Sequence, residues 1–128
     1  MEVKREPAKN FQQLVVWQKA HQLVLMVYKA TESFPKHELF ALTSQLRRAA
    51  VSVPANIAEG FRKRGPRDKL RFFNTAEGSL EEAHYYFLLS RDLGYADTEL
   101  LIEQANEVGR LLEAYGKSIR ASLQSSDS

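Results

Sequence analysis

The chain has 128 residues, 44% hydrophobic and 27% charged, with a formal net charge of +2 and no cysteine. This balance fits one globular, soluble domain and excludes disulfides, thiolate metal sites and cysteine nucleophiles. No apolar run approaches the roughly 20 residues that span a bilayer, and the charged opening MEVKREPAKN lacks the apolar core of a signal peptide, so a cytoplasmic protein without a membrane partner is expected.

Residues 1–10 read as a flexible N-terminus, residues 11–123 as a single helical domain, and residues 124–128 as a flexible polar tail. The first amphipathic stretch runs from about Phe11 to Thr31. Its Leu14, Trp17, Ala20, Val24, Val27 and Tyr28 recur at helical spacings of three and four. Phe34-Pro35 then marks a turn, because a residue before proline avoids the α region.

A second helix begins between Pro35 and Thr43 and runs to about Arg64, with Leu39, Leu42, Leu46, Ala49, Val53 and Ile57 on its apolar face. Pro35 suits a first helical turn, and Thr43 is the alternative cap after a short 3₁₀ turn. Pro54 lies inside this helix, removes one backbone donor and crowds the Ala50 carbonyl, so a kink is expected there. Small residues at Ala49, Ala50, Ser52 and Ala55 leave room for a partner helix. Asn56 and Glu59 share a face. Asn56, close to the apolar stripe, is expected to bond a neighbouring helix near Ser79 or Glu82 and so fix register.

Arg64-Gly65-Pro66 breaks the pattern before a third helix from about Arg67 to Leu93, with Phe73, Ala76, Leu80, Ala83 and Phe87 forming a seam. Gly78 within it suggests close packing, and Gly94 suits a C-cap. Asp97 is the expected cap of a fourth helix reaching about Leu123, with Leu101, Ala105, Val108, Leu112, Tyr115 and Ile119 as its seam. Gly109 and Gly116 weaken that helix locally and would admit a neighbouring backbone. Four long helices with short connections predict an all-α fold, an antiparallel up-down-up-down four-helix bundle.

Charge is unevenly placed. Between Arg47 and Arg71 eight basic residues (Arg47, Arg48, Arg62, Lys63, Arg64, Arg67, Lys69, Arg71) face two acidic ones, Glu59 and Asp68. That segment carries +6 and the rest of the chain −4. Arginine and lysine neutralise phosphates without reading sequence, so these eight residues are the candidate contacts to an RNA or DNA backbone. Phe61, Phe72 and Phe73 beside the cluster are candidate stacking surfaces. The alternative is that the basic turn and an acidic stripe at Glu99, Glu103 and Glu107 are complementary faces that assemble copies of the chain or dock a protein partner.

Enzyme signatures are missing from the sequence. There is no nucleophile elbow, phosphate loop or dinucleotide fingerprint. Glu81 and His84 form one Glu-x-x-His pair, but a di-iron bundle needs two such pairs and two further inward glutamates, and Ala83 rather than Glu81 sits on the seam. A non-enzymatic protein without cofactor or metal is therefore expected.

The stretches FQQLVVWQKA (11–20), FPKHELFALTSQLRRAAVSVPANIAEG (34–60) and FFNTAEGSLEEAHYYFLLSRDLGY (72–95), with the final helix, resemble the four-helix-bundle proteins encoded in intervening sequences of bacterial 23S ribosomal RNA genes. The most specific piece spaces Glu38, Phe40, Leu42, Gln45 and Arg48 ahead of Asn-Ile-Ala-Glu-Gly. The resemblance covers about residues 11–120. It implies an antiparallel bundle and a homo-oligomer, a ring and often a pentamer. It also implies nucleic-acid binding through a basic surface, by analogy with a related bundle that assists the reverse transcriptase of diversity-generating retroelements. It supplies no catalytic residues.

Overall fold

The computed structural model describes residues 7–126, with side chains as far as Leu123. The sequence expectations for residues 1–6 and 127–128 lie outside the described residues. Within them the chain forms four helices and no strand: α1 (Val15–Thr31), α2 (Leu42–Arg62), α3 (Pro66–Asp92) and α4 (Glu99–Ser126). The helices touch in ring order, α1 on α2, α2 on α3, α3 on α4 and α4 on α1, with α2 and α3 sharing the most extensive contact. The α2–α3 pair is antiparallel: Gln45 meets Tyr86 and Ser52 meets Ser79, so seven residues forward on α2 match seven back on α3. No helix among the described residues is long and apolar enough to cross a membrane.

The seams meet on the bundle axis. Val53, Ile57, Phe73, Ala76, Ala83, Phe87, Val108 and Leu112 are all buried there. Each large apolar side chain withdrawn from water contributes about 1.5–3 kcal/mol, and this burial holds the helices together. In α1 the core face is rotated from the expected one: Val16 and Leu23 are buried, whereas Tyr28 is exposed. Leu39, expected on the α2 face, precedes that helix and is also exposed.

Helix starts differ from their expected positions. Phe11–Gln13 is a separate 3₁₀ turn, divided from α1 by the extended backbone of Leu14, whose amide bonds the Phe11 carbonyl. A second 3₁₀ turn, Lys36–Glu38, precedes α2. Thr43 does not cap α2. Ala41 holds the N-cap position without a side-chain bond, and the buried Thr43 hydroxyl has no hydrogen-bond partner among the described residues. At α4 the cap shifts by one residue. Thr98 accepts the Ile102 amide through its carbonyl and donates its hydroxyl to the Phe87 carbonyl (2.9 Å), while Asp97 accepts the Glu99 amide.

Pro66 opens α3, where its fixed φ suits a first turn, and Asp68 faces the positive helix end. The helix closes at Gly94 (φ +76°). The Gly94 amide bonds the Arg91 carbonyl and the Tyr95 amide bonds the Ser90 carbonyl, a Schellman arrangement that satisfies two orphan carbonyls. Pro54 is buried inside a continuous α2 and packs beside α1. Gly78 is exposed with open space around it, so it marks no close packing. The tight approach is at Gly60, where an added Cβ would lie 3.0 Å from the Phe72 Cβ and 3.1 Å from the Phe73 ring.

Candidate nucleic-acid interface

Three residues, 63 to 65, connect α2 to α3, so the last turn of one helix and the first turn of the next lie side by side. Short connections leave long cationic side chains nowhere to go but outward, and Arg62, Arg64, Arg67 and Arg71 are all exposed. Lys63 and Arg71 both stand over the half-buried Phe72 ring, at 5.0 and 5.1 Å from its centroid. Arg71 also pairs with Asp68 at 3.5 Å, one helical turn away and in water, where such a pair is worth little.

Lys69 is different. Its ammonium donates to the carbonyl of Phe61 (2.7 Å) and of Gly60 (3.3 Å) and lies 5.4 Å from the Phe61 ring. It thereby closes the C-terminus of α2, where the helix dipole favours a cation. Burial pulls its pKa below the usual lysine value. Lys69 is a structural cation, already engaged.

The antiparallel fold brings the C-terminal part of α4 to this same end, as the edge-on contact of Phe73 with Tyr115 shows (6.2 Å). Exposed Lys117 and Arg120 follow Tyr115 on that helix. Sequence reading missed these two because nothing local links them to residues 62–71; only the antiparallel register does. A cleft of about 480 Å³ opens here between Leu14, Phe61, Phe73, Tyr115 and Ile119, with Lys69 in its wall. Among the three candidate stacking residues, Phe73 is in the core and Phe61 packs against it, which leaves Phe72 as the ring nearest the surface.

Arg47 and Arg48 are not part of this end. They lie 15 and 14 residues before Arg62 on α2, roughly 20 Å along the axis at 1.5 Å per residue. Arg47 is held by α1: its Nε donates to the Thr31 hydroxyl (2.9 Å) and its guanidinium stacks over Tyr28 (4.7 Å). Arg48 is exposed.

The polar residues of α2 and α3 form a shorter network than expected. Asn56 is half-buried, but its amide donates to the Ser52 carbonyl (2.8 Å) and hydroxyl (2.9 Å) on its own helix. The link across the helices is Ser52 to Ser79, 2.8 Å between hydroxyls. Four residues back along the helix lies within the amide's reach, so the intrahelical bond wins and Asn56 touches Ser79 only through Ser52. Glu82 is exposed and accepts the Tyr86 hydroxyl (2.9 Å). Burial first, then this bond, raises the Tyr86 pKa. Glu59 is exposed.

Glu107 of the acidic stripe pairs with Lys19 of α1 at 3.4 Å, so part of that stripe is met within the chain. Among the described residues no three histidine, aspartate or glutamate side chains gather to hold a metal ion.

A family model described as 23S rRNA-intervening sequence protein matches residues 12–114. Among solved structures, a protein of unknown function from the S23 ribosomal protein family of Bacteroides thetaiotaomicron VPI-5482 is similar, with a TM-score of 0.73, 21% identity, and coverage of 80% of this chain and 96% of that one. At that identity the likeness speaks for the fold. No curated protein matches the chain.

Proposed function

The chain belongs to the 23S rRNA-intervening sequence protein family, and from that premise we propose that it is a non-enzymatic, homo-oligomeric, cytoplasmic bundle that binds the RNA or DNA backbone through its basic end. The observation that carries the reading is charge density. Arg62, Lys63, Arg64, Arg67 and Arg71 surround one three-residue turn in a stretch, 62–71, whose one acidic residue is Asp68, and Lys117 and Arg120 lie at the same end. Lys69 drops from the contact set because its ammonium closes α2, and Arg47 and Arg48 drop because of their distance. Phe72, under Lys63 and Arg71, is the ring that a base would approach.

Contacts of this kind release counterions, so affinity falls with salt. Five phosphate contacts give a slope near −4.5 on duplex DNA, a loss of roughly 500-fold between 50 and 200 mM salt, with little sequence preference. Anisotropy titrations with single-stranded RNA, structured RNA and duplex DNA measure this directly. No binding at 50 mM salt sinks the reading. The alternative, a scaffold in which the basic turn meets acidic residues of another copy, draws on exposed Glu99 and Glu103. Charge reversal of Arg62, Lys63 and Arg64 separates the two: the first reading loses nucleic-acid binding with assembly intact, the alternative loses assembly mass.

A further inference from the structure

We infer that the cleft at the basic end is a pocket for one unpaired nucleobase, so that a strand held there by its phosphates is held single-stranded. The inference rests on the nucleic-acid part of the reading above and names the class of strand that it prefers.

All four helices line this cleft. Val15 opens α1, Phe61 lies in the last turn of α2, Lys69 and Phe73 in the first turns of α3, and Ser118 in α4. The seams run out at this end, and the segment before α1 covers them only in part: Ala8 packs on the core while Pro7 is exposed. The floor is apolar, with Leu14 and Phe73 buried and Phe61, Tyr115 and Ile119 half-buried around them. The mouth is open to water, because Gln13, Val15 and Ser118 are exposed. A volume of about 480 Å³ falls within the range of small-molecule sites.

The chemistry of the lining narrows the occupant. Its one charged residue is Lys69, and no carboxylate borders it. An ammonium carries three N–H donors. The carbonyls of Phe61 and Gly60 take two, and the third has no partner among the described residues. One spare donor among rings and aliphatic side chains matches a planar heterocycle with an oxygen or ring nitrogen at its edge. A purely apolar guest would cover that donor and leave it unpaired, at a cost.

The setting selects a nucleobase among heterocycles. Exposed Arg62, Arg64 and Arg67 stand around the adjoining turn. Exposed Lys9 borders a second hollow, which shares Pro7, Ala8 and Gln13 with the cleft. These cations draw a sugar–phosphate backbone to this end. Each phosphate is joined to its base through one sugar, so the bases arrive with the backbone. Stacking on protein rings tolerates any base, because every base has a π face. A duplex keeps its bases paired inside and would have to extrude one to fill the cleft. Phe72 offers an open ring to a neighbouring base, whereas the cleft encloses its guest.

Anisotropy titrations of the full chain at 50 mM salt test this with two probes of equal length and charge, alongside circular dichroism for the fold. One is a base-carrying single strand; the other is a sugar–phosphate strand of abasic units. The wild type should bind the base-carrying strand about tenfold tighter or more, the effect of an enclosed stacked base. Ser118→Leu places an uncharged branched side chain at the mouth. It should erase most of that advantage while leaving affinity for the abasic strand within about twofold. Val15→Met repeats the test from α1, and Phe72→Leu should keep at least part of the advantage. Equal wild-type affinities for the two strands overturn the pocket and leave the backbone reading standing. An advantage that survives both Ser118→Leu and Val15→Met in helical proteins, or that vanishes with Phe72→Leu, puts the base on the surface ring and also overturns the pocket. Binding of neither strand overturns both readings.

Discussion

At one end of the bundle α2 hands over to α3 through three residues; at the other, α1 hands over to α2 through ten, 32 to 41. The short connection forces two helix ends together. Gly60 lies against Phe72 and Phe73, Lys69 ties the last carbonyls of α2, and the surplus cations point outward. The long connection has room to spare. Its Phe34 packs on Tyr95 at 5.5 Å and Tyr95 donates to Glu38 at 2.8 Å, yet Phe40 stays in water and the nearby Thr43 hydroxyl has no partner among the described residues. Tight closure and slack closure leave different surfaces, one cationic and one aromatic, and the two suit different partners.

The comparison breaks first at the charges. Reversing Arg62, Lys63 and Arg64 together to glutamate is expected to lower nucleic-acid affinity about 100-fold or more, while Arg91→Glu at the opposite end changes it less than about threefold. Anisotropy at one fixed salt concentration compares them, and equal losses would erase the distinction between the ends.

Packing gives the next contrast, with opposite signs at the two ends. Gly60→Val drives a side chain into Phe72 and Phe73 and should cost about 1–3 kcal/mol in urea unfolding. Thr43→Val removes a buried hydroxyl without changing shape and should raise stability by up to about 1 kcal/mol. A destabilised Thr43→Val protein would mean that the hydroxyl is satisfied after all.

The smallest effect sharpens the aromatic end by pH. The hydrogen bond to Glu38, with a lesser contribution from burial, raises the Tyr95 pKa above 10.0. A group whose folded pKa is raised contributes stability in full below its unfolded pKa and loses it as pH climbs through the folded one. Tyr95→Phe should therefore melt slightly below the wild type at neutral pH, with the gap closing above pH 10. A gap that widens with alkalinity would contradict the assigned bond.

How much of this is legible in the sequence depends on the range of the interaction. The seams of α3 and the apolar face of α2 are plain at three-and-four spacing, because side-chain burial imprints that period on the chain. The basic turn is equally plain, because its charges are contiguous. Helix starts are less so: the breaks at Leu14 and Ala41 have no breaker residue, and the cap at Thr98 depends on a bond to Phe87, whereas the close of α3 at Gly94 is legible because a glycine suits the positive φ found there. Asn56 reads in sequence as reaching across to α3, but its amide bonds the Ser52 carbonyl four residues back on its own helix.

By itself, then, the sequence determined four helices, their antiparallel order and a cationic segment, all properties set by local spacing and short connections. Only the tertiary structure decided that Lys69 closes the end of α2 and that Arg47 is held by Thr31 and Tyr28 of α1, because packing presents those partners to them. It also decided that Lys117 and Arg120 share an end with residues some fifty positions earlier, and that Phe40, which reads in sequence as one more apolar residue ahead of a helix, is left in water. Periodicity records whether a side chain prefers burial; whether the fold has a place for it is settled by the other helices.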